Sequence, residues 1–387
     1  MDLSRWTGIV EADEKTGLVT VRSGTRLRDL NEALARRGLA MSNLGDIDAQ
    51  TVAGAISTGT HGTGAAFGGI ATQVRGLELV LADGSVVSAT PAENPEVFAA
   101  ARVGLGALGV LSTVTLQCER AYYLQADNGP RPLGEVLEGL DGLVEDNDHF
   151  EFYWFPHTSG TLVKRNNRMP AGGTPRPPHA VRSYVENELV ENTLFGLLCR
   201  TCRRFPRLVP PLNRLSTRVL STQSYSNSSH RVFVTPRAVR FVEMEYAVPR
   251  ESVGAVLGEV RALVERENIP VPFPVEVRFA AADDIWLSTA FERDSAYLAV
   301  HQFVGMPYER YFRGVEAIMT AAGGRPHWGK LHFLGSGELR ERYPRFDDFV
   351  ALRERLDPDG LFHNAYLDRV LGAPGVPVAG PASGGDA

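Results

Sequence analysis

Asn43 to Gly69, NLGDIDAQTVAGAISTGTHGTGAAFGG, decides how the rest of this chain is read. Gly, Thr, Ser and Ala dominate it, and one histidine, His61, stands inside Thr58-Gly59-Thr60-His61-Gly62-Thr63-Gly64. Glycines at this density let the backbone take positive φ and approach a ligand with no Cβ in the way. Short hydroxyl side chains add donors, and successive backbone N–H groups form concavities that suit anions. A flexible linker is the competing reading. Against it, Val52, Ala53, Ala55 and Ile56 insert apolar residues into the run, and strand and helix candidates lie close on both sides. The pattern favours a loop that holds a phosphate-bearing cofactor.

Upstream, Gly8 to Asp13 and Leu18 to Arg22 read as strands joined by a turn at Lys15-Thr16-Gly17. Thr25 is the expected cap of a helix carrying Leu27, Leu30 and Leu34 and stopping at Gly38. Downstream, Val74 to Leu81 and Val86-Val87 flank the turn Ala82-Asp83-Gly84-Ser85, a hairpin signature. Asn94-Pro95-Glu96 opens a short helix. Gly104-Leu105-Gly106-Ala107-Leu108-Gly109-Val110-Leu111 then leads into the apolar strand Val114 to Leu116, a second place for close backbone approach.

After about Ala121 the texture changes. Phe150 to Phe155 and Thr161 to Arg165 read as strands, and Asn166 to Ala180 as a long exposed loop. Ser183 to Leu220 reads as helical, interrupted by Pro206, Pro210 and Pro211. Six arginines between Arg200 and Arg218 alternate there with Leu and Phe, so the segment suits either an anionic membrane surface or a solvated helix face on a cap. Phe241 to Val248, Val275 to Phe279 and Tyr297 to Phe303 are strands, with helices over Glu251 to Asn268 and Tyr308 to Met319. Glu276 and Arg278 share a strand face because side chains alternate with period two. This order implies an α+β domain, an antiparallel sheet with helices on one side.

Composition excludes several classes. A chain of 387 residues has room for two ordinary domains. Its net charge of -6 leaves no cation excess for a general nucleic-acid binder. No apolar run reads as a signal peptide or a transmembrane helix. Three cysteines make no disulfide framework, which points to a reducing, cytoplasmic compartment. Cys199 and Cys202 form a lone C-x-x-C with no second pair or histidines at zinc spacing, so no metal is expected and the two read as neighbours on a helix face.

Five motifs together resemble the sugar-1,4-lactone oxidases, the aldonolactone and alditol branch of the vanillyl-alcohol-oxidase flavoproteins with a PCMH-type FAD domain. They are Asn43 to Gly64, Gly104 to Leu116 (GLGALGVLSTVTL), Glu276 to Arg278 (EVR), His327 to Lys330 (HWGK) and Asp357 to Gly372 (DPDGLFHNAYLDRVLG). The resemblance covers nearly the whole chain. It implies an FAD-binding part over residues 1–121, a substrate or cap domain over 122–325, a segment 326–372 that returns to the flavin, and a disordered tail, 373–387. It places Ala53, Gly54, Ser57, Thr58, Gly59, Thr60, His61 and Gly62 against FAD, with Gly104, Gly109 and Val110 on the adenosine side. His61 is then a cofactor-loop residue and not a base. The implied chemistry is oxidation of a sugar-lactone carbinol by hydride transfer to the flavin, with Lys330, Arg278, Glu276 and His301 as site residues. Oxygen or another acceptor takes the electrons. From the residues alone, Glu276 and Arg278 would be an in-strand ion pair, and His327 and Trp328 core packing.

Family members carry, several dozen residues further upstream, a strand and a G-H-S-type loop that wraps the pyrophosphate and often attaches the flavin. No such motif occurs in this chain. The resemblance therefore implies a truncated FAD subdomain, an open sheet edge near the start, and weak or absent, non-covalent FAD binding. Two alternatives stand beside the lactone reading. One is an alditol oxidase acting on polyols; the other is a non-catalytic protein using the basic segment on a membrane.

Overall fold

The computed structural model describes residues 2–178, 193–235 and 239–375. The first part of the chain supplies β1 (Ile9–Asp13), β2 (Leu18–Arg22), β3 (Leu39–Ala40), β4 (Val74–Val80), β5 (Val86–Ala89) and β6 (Val110–Gln117). Next come β7 (Glu119–Arg120), β8 (Tyr123–Pro132), β9 (His149–Trp154), β10 (Gly160–Arg168) and β11 (Gln223–Ser228). β12 (Phe241–Pro249), β13 (Val275–Ala280), β14 (Ser295–Phe303) and β15 (Arg325–Pro326) complete the set. A five-stranded sheet has the order β1-β2-β6-β4-β5, an eight-stranded one β11-β8-β10-β9-β13-β14-β12-β15, and β3 pairs with β7 between them. Every strand pairing is antiparallel.

The small sheet forms as its pattern dictates. Val19 and Val21 of β2, Leu77 and Leu79 of β4 and Val114 and Leu116 of β6 point into one core with Leu27, Leu30 and Leu34 of the helix Leu27–Ala35. Burial of each such side chain stabilises the fold by roughly 1.5–3 kcal/mol. The β4–β5 hairpin turns through Gly84 at φ +82°, in the left-handed region where a glycine is favoured. Thr25 does not cap the helix. Its hydroxyl donates to the Arg22 carbonyl and accepts the Gly8 N–H, and Arg26 takes the cap position without a side-chain bond. β1 is an outer strand with Val10 exposed.

The large sheet has two unlike faces. Met244, Tyr246 and Val248 of β12, Leu298 and Val300 of β14 and Val277 of β13 form one apolar face, in a common core with the helices Val253–Arg266 and Glu309–Ala321. The other carries Glu243, Glu245, Tyr297, His301, Glu276, Arg278, Glu151 and Tyr153, cross-strand neighbours by register, and packs against the glycine-rich stretch. β8 was not foreseen, and it contains Asn128-Gly129-Pro130, residue types common in turns. Here these residues stay extended between β10 and β11. Nor do Pro210 and Pro211 interrupt a helix; they occupy the first turn of Val209–Val219, where a missing N–H costs nothing. Part of the expected helix from Ser183 and most of the tail 373–387 lie outside the described residues.

Candidate active site

Thr51 opens the short helix Val52–Ser57, its hydroxyl accepting the Gly54 N–H at 3.1 Å. The leading amides are committed inside the protein: Val52 donates to the Thr25 carbonyl at 2.8 Å and Ala53 to the Ser23 carbonyl at 2.9 Å. Backbone donation from Ala53 and Gly54 to a phosphate, implied by the glycine pattern, is therefore not on offer. The glycines divide into two groups. A Cβ on Gly62 would lie 2.2 Å from the Leu44 carbonyl oxygen, and one on Gly109 2.9 Å from that of Val80, so these two serve packing. Gly104 closes the turn after the helix Pro95–Ala101, and Val110 begins β6.

Gly59 and Gly106 face open space. A Cβ on Gly106 would meet nothing within 4 Å, and one on Gly59 only Val103 at 3.9 Å. The Leu105 N–H donates to the Ser57 carbonyl at 3.1 Å and ties the two glycine loops side by side. Gly54, Ser57, Thr58, Gly59 and Gly106 thus form a wall almost free of bulky side chains. Such a cradle fits a flat dinucleotide cofactor.

Lys330 reaches this wall along the edge of β12. His327 and Leu331 donate their N–H groups to the carbonyls of Glu245 and Glu243, both at 2.9 Å. Trp328 pins the segment by donating to the Leu287 carbonyl at 2.7 Å, and Tyr366 donates to the Trp328 carbonyl at 2.7 Å. A Cβ on Gly329 would stand 3.3 Å from the Thr58 side chain, tight enough that the loops would have to part by a few tenths of an ångström to admit one. Lys330 Nζ then lies 2.5 Å from Glu243 Oε1 and 3.9 Å from Glu245 Oε2.

Each glutamate also faces a histidine. Glu245 Oε1 is 3.3 Å from His61 Nε2, and Glu243 Oε1 is 3.3 Å from His301 Nε2. His61 donates from Nδ1 to the Gly62 carbonyl at 2.8 Å and stacks on Tyr297 at 3.6 Å. Burial works against charge on Glu243, yet Lys330 and His301 hold its carboxyl down to about 2. The same opposition, won by His61 and Lys330, keeps Glu245 well below the usual carboxylate range. Burial likewise disfavours the Lys330 ammonium, but Glu243 and Glu245 raise its pKa above the ordinary value. Buried His327 is lowered to about 4. His61, Glu245 and His327 place one donor atom each within 4.8 Å of the others. The single lone pair of neutral His327 accepts the Gly329 N–H at 3.0 Å and is thus already committed within the protein.

Across Ala299 on the same face lies a second cluster. Arg278 bonds Glu276 on its own strand, Glu151 Oε2 at 2.8 Å and Asp46 Oδ1 at 3.4 Å. Tyr153 donates to Glu276 at 2.9 Å and lies 3.0 Å from Glu151, which also pairs with Lys164 at 3.2 Å. Burial opposes the Arg278 charge, and Glu276, Asp46 and Glu151 more than offset it, holding the guanidinium well above its usual pKa. Asp46 belongs to the glycine-rich stretch, so this network ties that stretch to the large sheet.

The FAD binding domain profile matches residues 1–90, and the D-arabinono-1,4-lactone oxidase profile matches residues 114–370. The chain belongs to the D-arabinono-1,4-lactone oxidase family. It is 46% identical to the L-gulono-1,4-lactone dehydrogenase of Mycobacterium tuberculosis over 96% of this chain and 86% of that protein. It is 37% identical to the L-gulonolactone oxidase of Mus musculus over 95% of this chain and 84% of that protein. A solved solvent-stable cholesterol oxidase shares the fold with a TM-score of 0.78 at 20% identity, over 95% of this chain and 84% of that one.

Of the residues the sequence singled out in this lactone-oxidase family member, the structure gathers Lys330, His301, Glu276, Arg278 and His61 on one sheet face. Glu243, Glu245, Glu151, Tyr153 and Tyr297 were not singled out. One signal for them existed: Phe241-Val242-Glu243-Met244-Glu245-Tyr246 alternates acid with apolar residues, as Glu276-Val277-Arg278 does, and two acids in period two on an otherwise apolar strand mark a polar face that needs cations. His327, read as core packing, instead lines the cluster; Trp328 is core, as expected.

Proposed function

We propose that this chain oxidises the carbinol of an aldono-1,4-lactone, with D-arabinono-, L-gulono- and L-galactono-1,4-lactone as candidate substrates. The observation that carries this is the loop anchored by Trp328 and Tyr366: it sets Gly329 against Thr58 of the glycine wall and the adjacent Lys330 ammonium against Glu243 and Glu245. FAD, when bound, supplies the two-electron acceptor for the hydride leaving the carbinol carbon. Gly54, Ser57, Thr58, Gly59 and Gly106 would hold it, with Ala53, Thr60, Gly104 and Val110 close by. Lys330, kept charged by Glu243 and Glu245, provides fixed positive charge where negative charge develops. Glu276, held by Arg278 and Tyr153, orients a substrate hydroxyl by accepting its hydrogen bond. His301, facing Glu243 from Nε2 and the Pro274 carbonyl from Nδ1, holds Glu243 in place, and the hydroxyl proton leaves along the Glu276 hydrogen bond as the carbon–hydrogen and oxygen–hydrogen bonds break and the carbonyl forms. Oxygen or another acceptor then takes the electrons.

The test is anaerobic mixing of the flavin-loaded protein with a panel of lactones and polyols, following the visible flavin absorbance. Bleaching by an aldonolactone supports the assignment. Bleaching by polyols alone would move it to alditol oxidation, and none with any sugar would overturn it.

A further inference from the structure

We propose that Lys164 binds the hydroxylated carbons outside the lactone ring and so sets the substrate length this protein prefers, an inference that rests on the lactone reading above. Lys164 is on β10, two strands from Glu276 in the order β13-β9-β10. Register puts both on one face. Lys164 lies opposite Glu151 and Glu276 opposite Tyr153, and Glu151 and Tyr153 point the same way from β9.

The ammonium is held in a defined place. It lies 3.2 Å from Glu151, donates to the Tyr153 hydroxyl at 3.4 Å, and stands 4.7 Å from the centre of the Tyr153 ring. Tyr153 in turn donates to Glu276 at 2.9 Å. Neighbouring strands are about 4.8 Å apart, and the lysine stem leans back across that gap. Lys164 Nζ is therefore two hydrogen-bond lengths from the carboxylate that holds the substrate hydroxyl.

Exposure sets Lys164 apart from its neighbours. The side chains of Glu276, Arg278 and Glu151 keep 6, 9 and 9% of their surface, whereas Lys164 keeps 21% and Lys330 25%. The two ammonium groups are the more open ends of a buried polar row. Lys330 follows the edge of β12, two strands to one side of Glu276, and Lys164 comes from two strands to the other. Pairing with Glu151 does not by itself call for an open lysine, because Arg278 already bonds Glu151 at 2.8 Å.

The ligand follows from these positions. With the reacting hydroxyl on Glu276 and Lys330 to one side, the carbons outside the ring extend towards Lys164. Their hydroxyl oxygens accept hydrogen bonds, and an ammonium carries three donors. A bond to a charged donor discriminates against a ligand that lacks the matching hydroxyl.

L-gulono-1,4-lactone carries two hydroxylated carbons outside its ring, and D-arabinono-1,4-lactone carries one. Anaerobic flavin reduction by each, over a range of concentrations, compares the parent with Lys164→Met. The half-saturating concentration of L-gulono-1,4-lactone should rise about tenfold in the variant. That of D-arabinono-1,4-lactone should rise much less, and the limiting rates should move less than either. Lys164→Gln, which keeps a shorter donor, should fall between parent and Lys164→Met. Binding is read without turnover from the rise in Tm that excess L-gulono-1,4-lactone produces, and that rise should shrink in both variants. Glu151 keeps Arg278 and Tyr153 as partners, so far-UV circular dichroism should match the parent. Equal losses with the two lactones, a loss confined to the limiting rate, or no change in either variant would overturn the proposal and leave the lactone activity standing. A parent whose flavin no lactone bleaches would overturn the activity and this subsite together.

Discussion

The Arg278 and Lys330 clusters share one face of one sheet, separated by Ala299, yet they hold charge in different ways. Around Arg278 a guanidinium and Lys164 meet three carboxylates, Asp46, Glu151 and Glu276, and one phenol. Arginine does not give up its proton in proteins, so the positive centre there is permanent. Around Lys330, two carboxylates contact one ammonium and two imidazoles, those of His61 and His301. The Lys330 side chain also keeps a quarter of its surface open, against less than a tenth for Arg278. On the reading proposed above, the buried, over-anchored network would hold Glu276 in position and contribute mainly to stability, and the partly open one would carry more of the chemistry.

Arg278→Met should break the comparison most sharply. It would strand three buried carboxylates and cost about 3–5 kcal/mol of unfolding free energy, read by urea denaturation. Lys330→Ala leaves Glu243 and Glu245 with His301 and His61 as partners, so it should cost less stability than Arg278→Met while slowing lactone-dependent flavin reduction on the order of 10²–10³-fold. Equal stability losses in the two variants would erase the distinction. Tyr153→Phe removes a hydroxyl bonded to Glu276 and should cost about 1.5–3 kcal/mol, again in stability first. The smallest effect is a pH slope. Burial lowers His327 to about 4 and His332 to about 3. Unfolded, both would take up protons near pH 6.5. The stability tied to their neutral forms is therefore fully present above that pH and falls as pH drops towards 4, each by up to about 1.4 kcal/mol per pH unit. Asp283, raised to about 6 by burial, opposes them over much of that window. His332→Gln should flatten the fall in Tm on acidification, and an unchanged slope would remove His332 from the account.

Much of the fold was legible because period and punctuation coincide. Strands β12, β13 and β14 announce themselves by alternation, and Asp83-Gly84 by its turn chemistry. The site was legible only where residues are close in sequence, as in Glu276-Val277-Arg278 and the glycine run. Glu151 and Asp46 contact Arg278 from strand and loop positions far away in the chain, and no local pattern encodes that meeting. Thr25 misled because its local preference for a cap yielded to hydroxyl contacts with Gly8 and Arg22, and the contact with Gly8 comes from outside the helix start.

The glycine-rich stretch is also sewn to the large sheet. Gly64 donates to the Phe279 carbonyl at 2.8 Å, Ala281 donates to the Phe67 carbonyl at 3.0 Å, and Thr63 accepts the Phe279 N–H at 3.1 Å, one residue from Arg278. A ligand that orders this stretch therefore also orders the strand bearing Glu276 and Arg278. By thermodynamic reciprocity, whatever settles on that strand must tighten the grip of the stretch on its own ligand by the same factor. Cofactor retention and substrate affinity in this protein are two readings of one coupling.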